Sequence, residues 1–384
     1  MNSSKSESTR GIPRKIMFIA GEASGDNHAA HLIEGIRAKD PGVHCFGAGG
    51  PKMAAAGMEL ILDLTEHAVL GLVEVLRNYF KFRRFFYQML RVVEERKPDV
   101  VVLVDYPGFN LRFAKALRRR FGDSPDRPKV VYYIAPQVWA WAEGRVKLIA
   151  RCVDLLVSIF PFEKAWFAQR APGLRVEFVG HPIMDGHASL PKQSPPSTDR
   201  PILVLLPGSR RREVRLHWPI LKKAAELIAA RMPVSVTVVA TTDAIEAMIR
   251  ENGIGDFQIS RDMTGMLSRA TVAIAASGTA TLECAYFGVP TVVIYKVAWP
   301  TYVAGRMLIK VKYLAMPNLL AQQAVFPEFI QRRARAEWIA EEAVNLISDH
   351  SRRRAIKETL ARAIATLGSA GATTRAVDLI IAGS

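Results

Sequence analysis

Ala275-Ala276-Ser277-Gly278-Thr279-Ala280-Thr281-Leu282-Glu283 is the stretch from which the fold can be read. The apolar run 272–276 predicts a buried parallel strand. It ends in Ser-Gly-Thr and passes straight into a helical run, 280–287. A strand, a turn of small residues and a helix start form an anion site, because the first-turn N–H groups and the positive end of the helix dipole both face a ligand. Ser277, Thr279 and Thr281 add hydroxyls, Gly278 lets the backbone approach closely, and Ala280 opens the helix. Glu283 lies about one turn beyond Thr279, where a carboxylate can accept both hydroxyls of a ribose. An N-cap at an ordinary strand–helix junction uses the same residue types. The rest of the chain has to choose between the two.

Downstream of a linker the same grammar is repeated. The run 202–206 predicts a strand, Pro207-Gly208-Ser209-Arg210 a turn, and the residues to 231 a long helix. Further strands are expected over 234–240, 257–259 and 291–295, with a helical tail over 334–383. Gly208 and Ser209 make a second anion turn, and Arg210 supplies a permanent, fork-shaped cation suited to a pyrophosphate. No Asp-x-Asp occurs, so a metal-held diphosphate is not indicated. A cation and a helix N-terminus can stabilise a departing nucleoside diphosphate instead. Neither a metal nor a cofactor is expected.

The first half alternates strands and helices in the same way. Lys15 to Ala20 predicts a strand ending in Gly21-Glu22-Ala23-Ser24-Gly25-Asp26, without the spacing of a dinucleotide fingerprint. Glu22, Ser24 and Asp26 fall where a parallel sheet places ligand groups. His28 and His31 share a helix face, as metal ligands do and as solvated pairs do more often. Strands follow over 43–47, 100–104, 130–134, 155–160 and 176–179. The 100–104 strand leads into Asp105-Tyr106-Pro107-Gly108-Phe109-Asn110, and the 130–134 strand into Pro136-Gln137-Val138-Trp139-Ala140-Trp141. Asp105 at the end of a central strand suits chemistry and equally suits a turn cap. The two tryptophans suit a cleft wall or a core.

The segment 72–95 is unusual. Arg77, Lys81, Arg84, Gln88, Arg91 and Glu95 form one polar stripe, and almost everything else is apolar, including Phe82, Phe85 and Phe86. That face is wider than core packing requires. Either the helix is buried on two sides, or its aromatic and basic remainder meets lipid.

At 384 residues, 49% hydrophobic and 23% charged, the chain suits two globular domains. The expected layout is a tail over 1–14, a first domain over 15–186, a linker over 187–200 rich in proline and polar residues, and a second domain over 201–384. The second boundary is approximate, since last helices in such folds often cross back. The fold class is α/β, with two doubly wound, Rossmann-like domains facing across a cleft and ligands at the strand carboxyl ends. Three scattered cysteines indicate neither a disulfide framework nor a zinc site, and they fit a reducing cytosol. The N-terminal stretch lacks the apolar core of a signal peptide, and no uncharged apolar run is long enough to span a bilayer. The net charge of +16 points to polyanions, an anionic membrane surface or phosphorylated substrates. A nucleic-acid binder would account for the charge but not for two pyrophosphate turns, so no nucleic acid is expected. A homodimer is left open.

Taken in order, these motifs resemble the lipid-A-disaccharide synthase family. The match adds Pro161-Phe162-Glu163-Lys164, Gly180-His181-Pro182, Pro317-Asn318 and Pro327-Glu328-Phe329-Ile330-Gln331 to those already quoted, and it runs from Lys15 to about Gln331. The resemblance implies GT-B architecture and inverting, metal-independent transfer from UDP-2,3-diacylglucosamine to 2,3-diacylglucosamine 1-phosphate, forming a β-1,6 disaccharide phosphate and UDP. It implies a cytoplasmic enzyme on the anionic surface of the inner membrane. UDP contacts are then expected from Gly208, Ser209, Arg210, Ser277, Gly278, Thr279, Ala280, Thr281, Glu283 and Asn318. Acceptor contacts are expected from Ser24, Asp26, Asn110 and Gln137, and membrane contacts from Arg77, Lys81, Arg84, Phe82, Phe85 and Phe86. Asp105 is the expected base, Glu22 the runner-up, and His28, taken to point away along its helix, ranks last. Gly108 stands where some relatives carry a second Asp. Another GT-B UDP-sugar transferase or epimerase would keep the nucleotide turns but lack the wide aromatic helix.

Overall fold

The computed structural model describes residues 14–65, 79–187 and 200–382. The tail ahead of Arg14, most of the linker, and residues 72–78 of the aromatic helix, Arg77 among them, lie outside the described residues. The chain forms two units, Met1–Ala188 with Leu367–Ser384, and Ser189–Thr366.

The first unit is built on seven parallel strands in the order β3-β2-β1-β4-β5-β6-β7. These are β1 (Lys15–Ala20), β2 (His44–Gly49), β3 (Glu59–Asp63), β4 (Val100–Val104), β5 (Lys129–Tyr133), β6 (Leu155–Ser158) and β7 (Arg175–Phe178). All five residues of β4, Val-Val-Val-Leu-Val, are buried, as a central parallel strand covered on both faces requires. The second unit carries six parallel strands in the order β10-β9-β8-β11-β12-β13. They are β8 (Ile202–Leu206), β9 (Ser235–Val239), β10 (Gln258–Ser260), β11 (Val272–Ala276), β12 (Thr291–Tyr295) and β13 (Glu328–Ile330). Strands β3 and β13 were not expected. Both are sheet edges whose residues are mostly half-buried, so neither shows the apolar run that marks the central strands.

Strand order reverses between β1 and β4 in one sheet and between β8 and β11 in the other. Ala20 pairs with Val104, and Leu206 with Ala275. The turns beyond each pair therefore emerge side by side at a topological switch point, where open α/β sheets bind ligands.

The second domain, expected over 201–384 with its last helices allowed to cross back, corresponds to a unit that ends at Thr366. The last helix, Ala372–Ala382, belongs to the first unit and packs on the helix Ala23–Lys39. Asp185 seats it by accepting hydrogen bonds from the backbone N–H groups of Gly371, Ala372 and Thr373 at 2.6, 3.0 and 2.8 Å. Burial opposes its charge, but the bonds from Thr373, Gly371 and Ala372 outweigh that and hold the carboxyl below its ordinary value.

Candidate functional site

Asp105 and Tyr106, at the exit of β4, both adopt left-handed backbone, with φ of 46° and 47°. Two consecutive non-glycine residues in that region store strain, which persists only where neighbours enforce it. Here the Asp105 carbonyl accepts from the Tyr132 hydroxyl at 2.6 Å and from Asn110 Nδ2 at 2.8 Å, while the Asp105 N–H donates to the Tyr133 carbonyl. Pro107 then starts the helix Pro107–Phe121, its ring closing off any other path. Burial, then the nearby Asp105 charge, raises the Tyr132 hydroxyl well above its usual value, so it stays a donor.

Beside this turn lies Gly21. A side chain there would meet the Tyr106 ring at 2.2 Å, so glycine is what lets the β1 and β4 turns touch. Glu22 precedes the helix Ala23–Lys39 and, after burial, is the second influence raising the Tyr106 hydroxyl. Ser24 is exposed in the first turn of that helix. His28 does not point away as expected. Its ring is mostly buried and electrostatically coupled to His181, which follows β7. Burial and then the charge of His31 lower it to about 4, and burial and then His28 lower His181 to about 3, so both rings are neutral at neutral pH.

Two residues expected on the acceptor are used inside the fold. Asp26 is buried, and its carboxylate accepts from the N–H groups of Gly50, Lys52 and Met53 at the start of the helix Pro51–Ala55. Asn110 is fully buried and pins the Asp105 backbone, so it positions rather than binds. Gln137 is exposed ahead of the helix Val138–Trp141, on a turn supported from below. Trp139 is buried there and donates through Nε1 to Glu163 Oε1 at 2.9 Å. Glu163 is wholly buried and also accepts from the Phe160 N–H at 3.3 Å. Burial pushes its carboxyl up to about 7, against the pull of those hydrogen bonds. Its motif was noticed in the sequence but its burial was not, since a lone Glu in a helix usually faces water.

In the second unit the turn after β8 passes through Gly208 at φ 118°, and a side chain there would meet Glu213 at 3.0 Å. Arg210 precedes the helix Arg211–Ala229, with its side chain 66% exposed and Nη1 3.3 Å from Glu213 Oε1. Ser209, Arg211 and Arg212 are exposed around it. Arginines at a helix N-terminus oppose the dipole, an arrangement that an anionic ligand relieves. His217, a buried residue the sequence reading missed, bridges this turn to the exit of β12. Its Nδ1 lies 3.1 Å from the Pro207 carbonyl, and its Nε2 accepts from the Lys296 N–H at 3.1 Å. Burial lowers its pKa, which keeps the ring neutral with the proton on Nδ1.

Across the switch point, Gly278 and Thr279 are exposed at the start of the helix Thr279–Tyr286, with Ala280 and Glu283 half-buried behind them. Ser277 donates through Oγ to the Leu314 carbonyl. Thr281 is buried and donates to the Gly278 carbonyl at 2.7 Å, so its hydroxyl shapes the turn and is not offered to a ligand. Asn318, expected to contact UDP, is likewise engaged inside the fold. Its buried amide bonds both backbone groups of Phe326 and the Glu328 carboxylate, and Glu328 in turn holds the N–H groups of Leu314 and Ala315. This network carries the loop on which Ser277 rests. Among the described residues no group of three or more His, Cys, Asp or Glu converges as a metal site would.

The helix Tyr79–Arg96 separates the membrane expectations. Phe85 is in the core, and Phe86 packs edge-on against Phe109 and Phe113. Phe82 is half-buried, whereas Lys81 and Arg84 are exposed. Among the described side chains of this helix, the exposed aromatics are Phe80, at 78%, and Tyr87.

Residues 16–378 match the family described as lipid-A-disaccharide synthetase. Lipid-A-disaccharide synthase 1 of Legionella pneumophila (strain Philadelphia 1) is 37% identical over 96% of this chain and 97% of its own length. The lipid-A-disaccharide synthase of Nitrosococcus oceani is 39% identical, covering 96% and 95%. Among solved structures, the S. aureus MnaA–UDP co-structure is similar with a TM-score of 0.65 at 13% identity, covering 96% of each chain. CalG4, the calicheamicin glycosyltransferase, gives 0.59 at 18% identity, covering 96% of this chain and 97% of its own. These two likenesses concern the fold, which is GT-B.

Proposed function

The chain belongs to the lipid-A-disaccharide synthetase family of glycosyltransferases, and on that premise we propose that it is an inverting enzyme joining two diacylglucosamine units. It transfers 2,3-diacylglucosamine from UDP to 2,3-diacylglucosamine 1-phosphate, yielding the β-1,6 disaccharide 1-phosphate and UDP. The observation that carries this reading is the pair of anion turns side by side at the β8/β11 switch point, with Arg210 beside them.

In the reaction, Asp105 takes the proton of the acceptor hydroxyl as its oxygen bonds to the anomeric carbon. The bond from that carbon to the diphosphate breaks, and UDP leaves with the electron pair. First-turn N–H groups at Gly278, Thr279 and Ala280, with Arg210, receive the charge that develops on the diphosphate. Glu22 orients the sugar. Glu283 takes the ribose hydroxyls, and Ser24 and Gln137 take the acceptor. No divalent metal takes part.

Both substrates are lipids with anionic heads, so the enzyme works on the anionic cytoplasmic surface of the inner membrane. Support comes from the exposed Phe80 and Tyr87 beside Lys81 and Arg84, and from the helix Trp299–Leu308, where Trp299, Met307 and Leu308 are exposed near Arg306 and Lys310. Among the described residues no helix is long and apolar enough to cross a membrane.

The test is to incubate the protein with UDP-2,3-diacylglucosamine and 2,3-diacylglucosamine 1-phosphate in detergent micelles and weigh the products. A disaccharide phosphate carrying four acyl chains is expected, with one UDP for each. An epimerised UDP-sugar formed without acceptor would instead assign the chain to UDP-sugar epimerisation.

A further inference from the structure

The helices Tyr79–Arg96 and Pro107–Phe121 bound a groove of about 470 Å³ in the first unit. Its floor is apolar, made by Phe86, Tyr87 and Leu90, and its rim is cationic, made by Arg112, Lys115 and Arg119. Those three lie at i, i+3 and i+7 on one helix face, and all are exposed. Like charges at such spacings destabilise a helix unless something of opposite sign sits beside them. Among the described residues no carboxylate is paired with any of the three, whereas Arg118 and Arg120 of the same helix pair with Asp123 and Glu94. The ridge is thus left for an anion from outside. The floor is held rigid by Phe86 packed on Phe109 and Phe113, and Arg83 lies over the half-exposed Tyr87 ring. A cationic ridge over a short aromatic and aliphatic floor matches a molecule with an anionic head and an apolar tail.

We propose that this groove seats the headgroup of an anionic bilayer phospholipid, its phosphate against Arg112, Lys115 and Arg119 and the first part of its chains on Phe86, Tyr87 and Leu90. This rests on the membrane reading above and not on the transfer chemistry. Apolar insertion alone would bind any bilayer; the groove makes binding depend on lipid charge and fixes which face of the unit is turned toward it.

Vesicle flotation tests it, with phosphatidylcholine alone and with an equal mixture containing phosphatidylglycerol. The triple variant Arg112→Gln, Lys115→Gln, Arg119→Gln should lose about a hundredfold in affinity for the anionic vesicles, since three surface cations are removed. It should keep its phosphatidylcholine binding, its thermal midpoint, its affinity for UDP and its rate in nonionic detergent. The variant Lys147→Gln, Arg151→Gln, on another helix of the unit, should keep most of the anionic preference. Unchanged anionic affinity in the triple variant, or a proportionate loss in the Lys147 and Arg151 variant, would overturn the site in favour of net charge. A raised KM for the acceptor phosphate in detergent would assign the groove to the substrate, and lost binding of single-stranded RNA to nucleic acid. Failure of sugar transfer in the parent protein would sink the proposed function and leave the vesicle result standing.

Discussion

Asp105 illustrates how much one residue depends on its neighbours. Its left-handed backbone is held by Tyr132 and Asn110, which both act on the carbonyl. Asp105→Asn should keep UDP affinity by calorimetry and abolish transfer; substantial turnover by that variant, with Glu22→Gln inactive, would move the base to Glu22. Arg210→Ala should lower kcat by roughly a hundredfold, the usual cost of one preorganised charge partner. Chelator should leave the parent rate intact, and a rate abolished by chelator and restored by magnesium would contradict that mechanism. Glu163 makes a prediction about pH. Its folded value, about 7, lies above the ordinary 4.5, so the folded protein keeps a proton that the unfolded chain has lost. That contribution is complete below the ordinary value and is lost as pH rises through about 7, a change on the order of 3 kcal/mol. Urea midpoints should therefore fall between about pH 5 and about pH 8, and Glu163→Gln should flatten that fall.

At the scale of elements, periodicity pointed to a helix over 72–95 with two chemistries, whose described part is Tyr79–Arg96, but it could not say which aromatics face in. Phe85 is buried in the core and Phe86 packs on the helix Pro107–Phe121, while Phe80 and Tyr87 are exposed. Phe85→Ser should cost about 3–5 kcal/mol and be read as a lowered thermal midpoint. Phe80→Ser with Tyr87→Ser should leave the midpoint alone and weaken vesicle binding roughly tenfold or more. The same limit applied to the polar motifs. Thr281, Asn318 and Asp26 looked like ligand groups because small polar residues near glycine turns serve ligands and caps alike. In the folded chain each bonds a backbone group instead.

At the scale of the whole molecule, the last helix is joined to the first unit by Asp185, 186 residues before the first N–H it accepts. Asp185→Ala leaves three N–H groups without that acceptor and should cost about 1–3 kcal/mol, seen as a lowered unfolding midpoint. Because its carboxyl titrates below the ordinary value, the contribution is present above that value and fades as pH falls through the folded one; the variant should lose this acid sensitivity. By itself the sequence determined the α/β class, the central strands, the two pairs of glycine turns and the order of motifs that resembles one family. All of these rest on short-range patterns: apolar runs, turn chemistry and spacing along the chain. Only the tertiary structure decided which strands neighbour one another, and hence that β1 meets β4 and β8 meets β11. It alone divided the polar residues into those spent on backbone groups and those left at the surface. Hydrogen bonds between distant residues make that division, and their partners cannot be read from either segment alone.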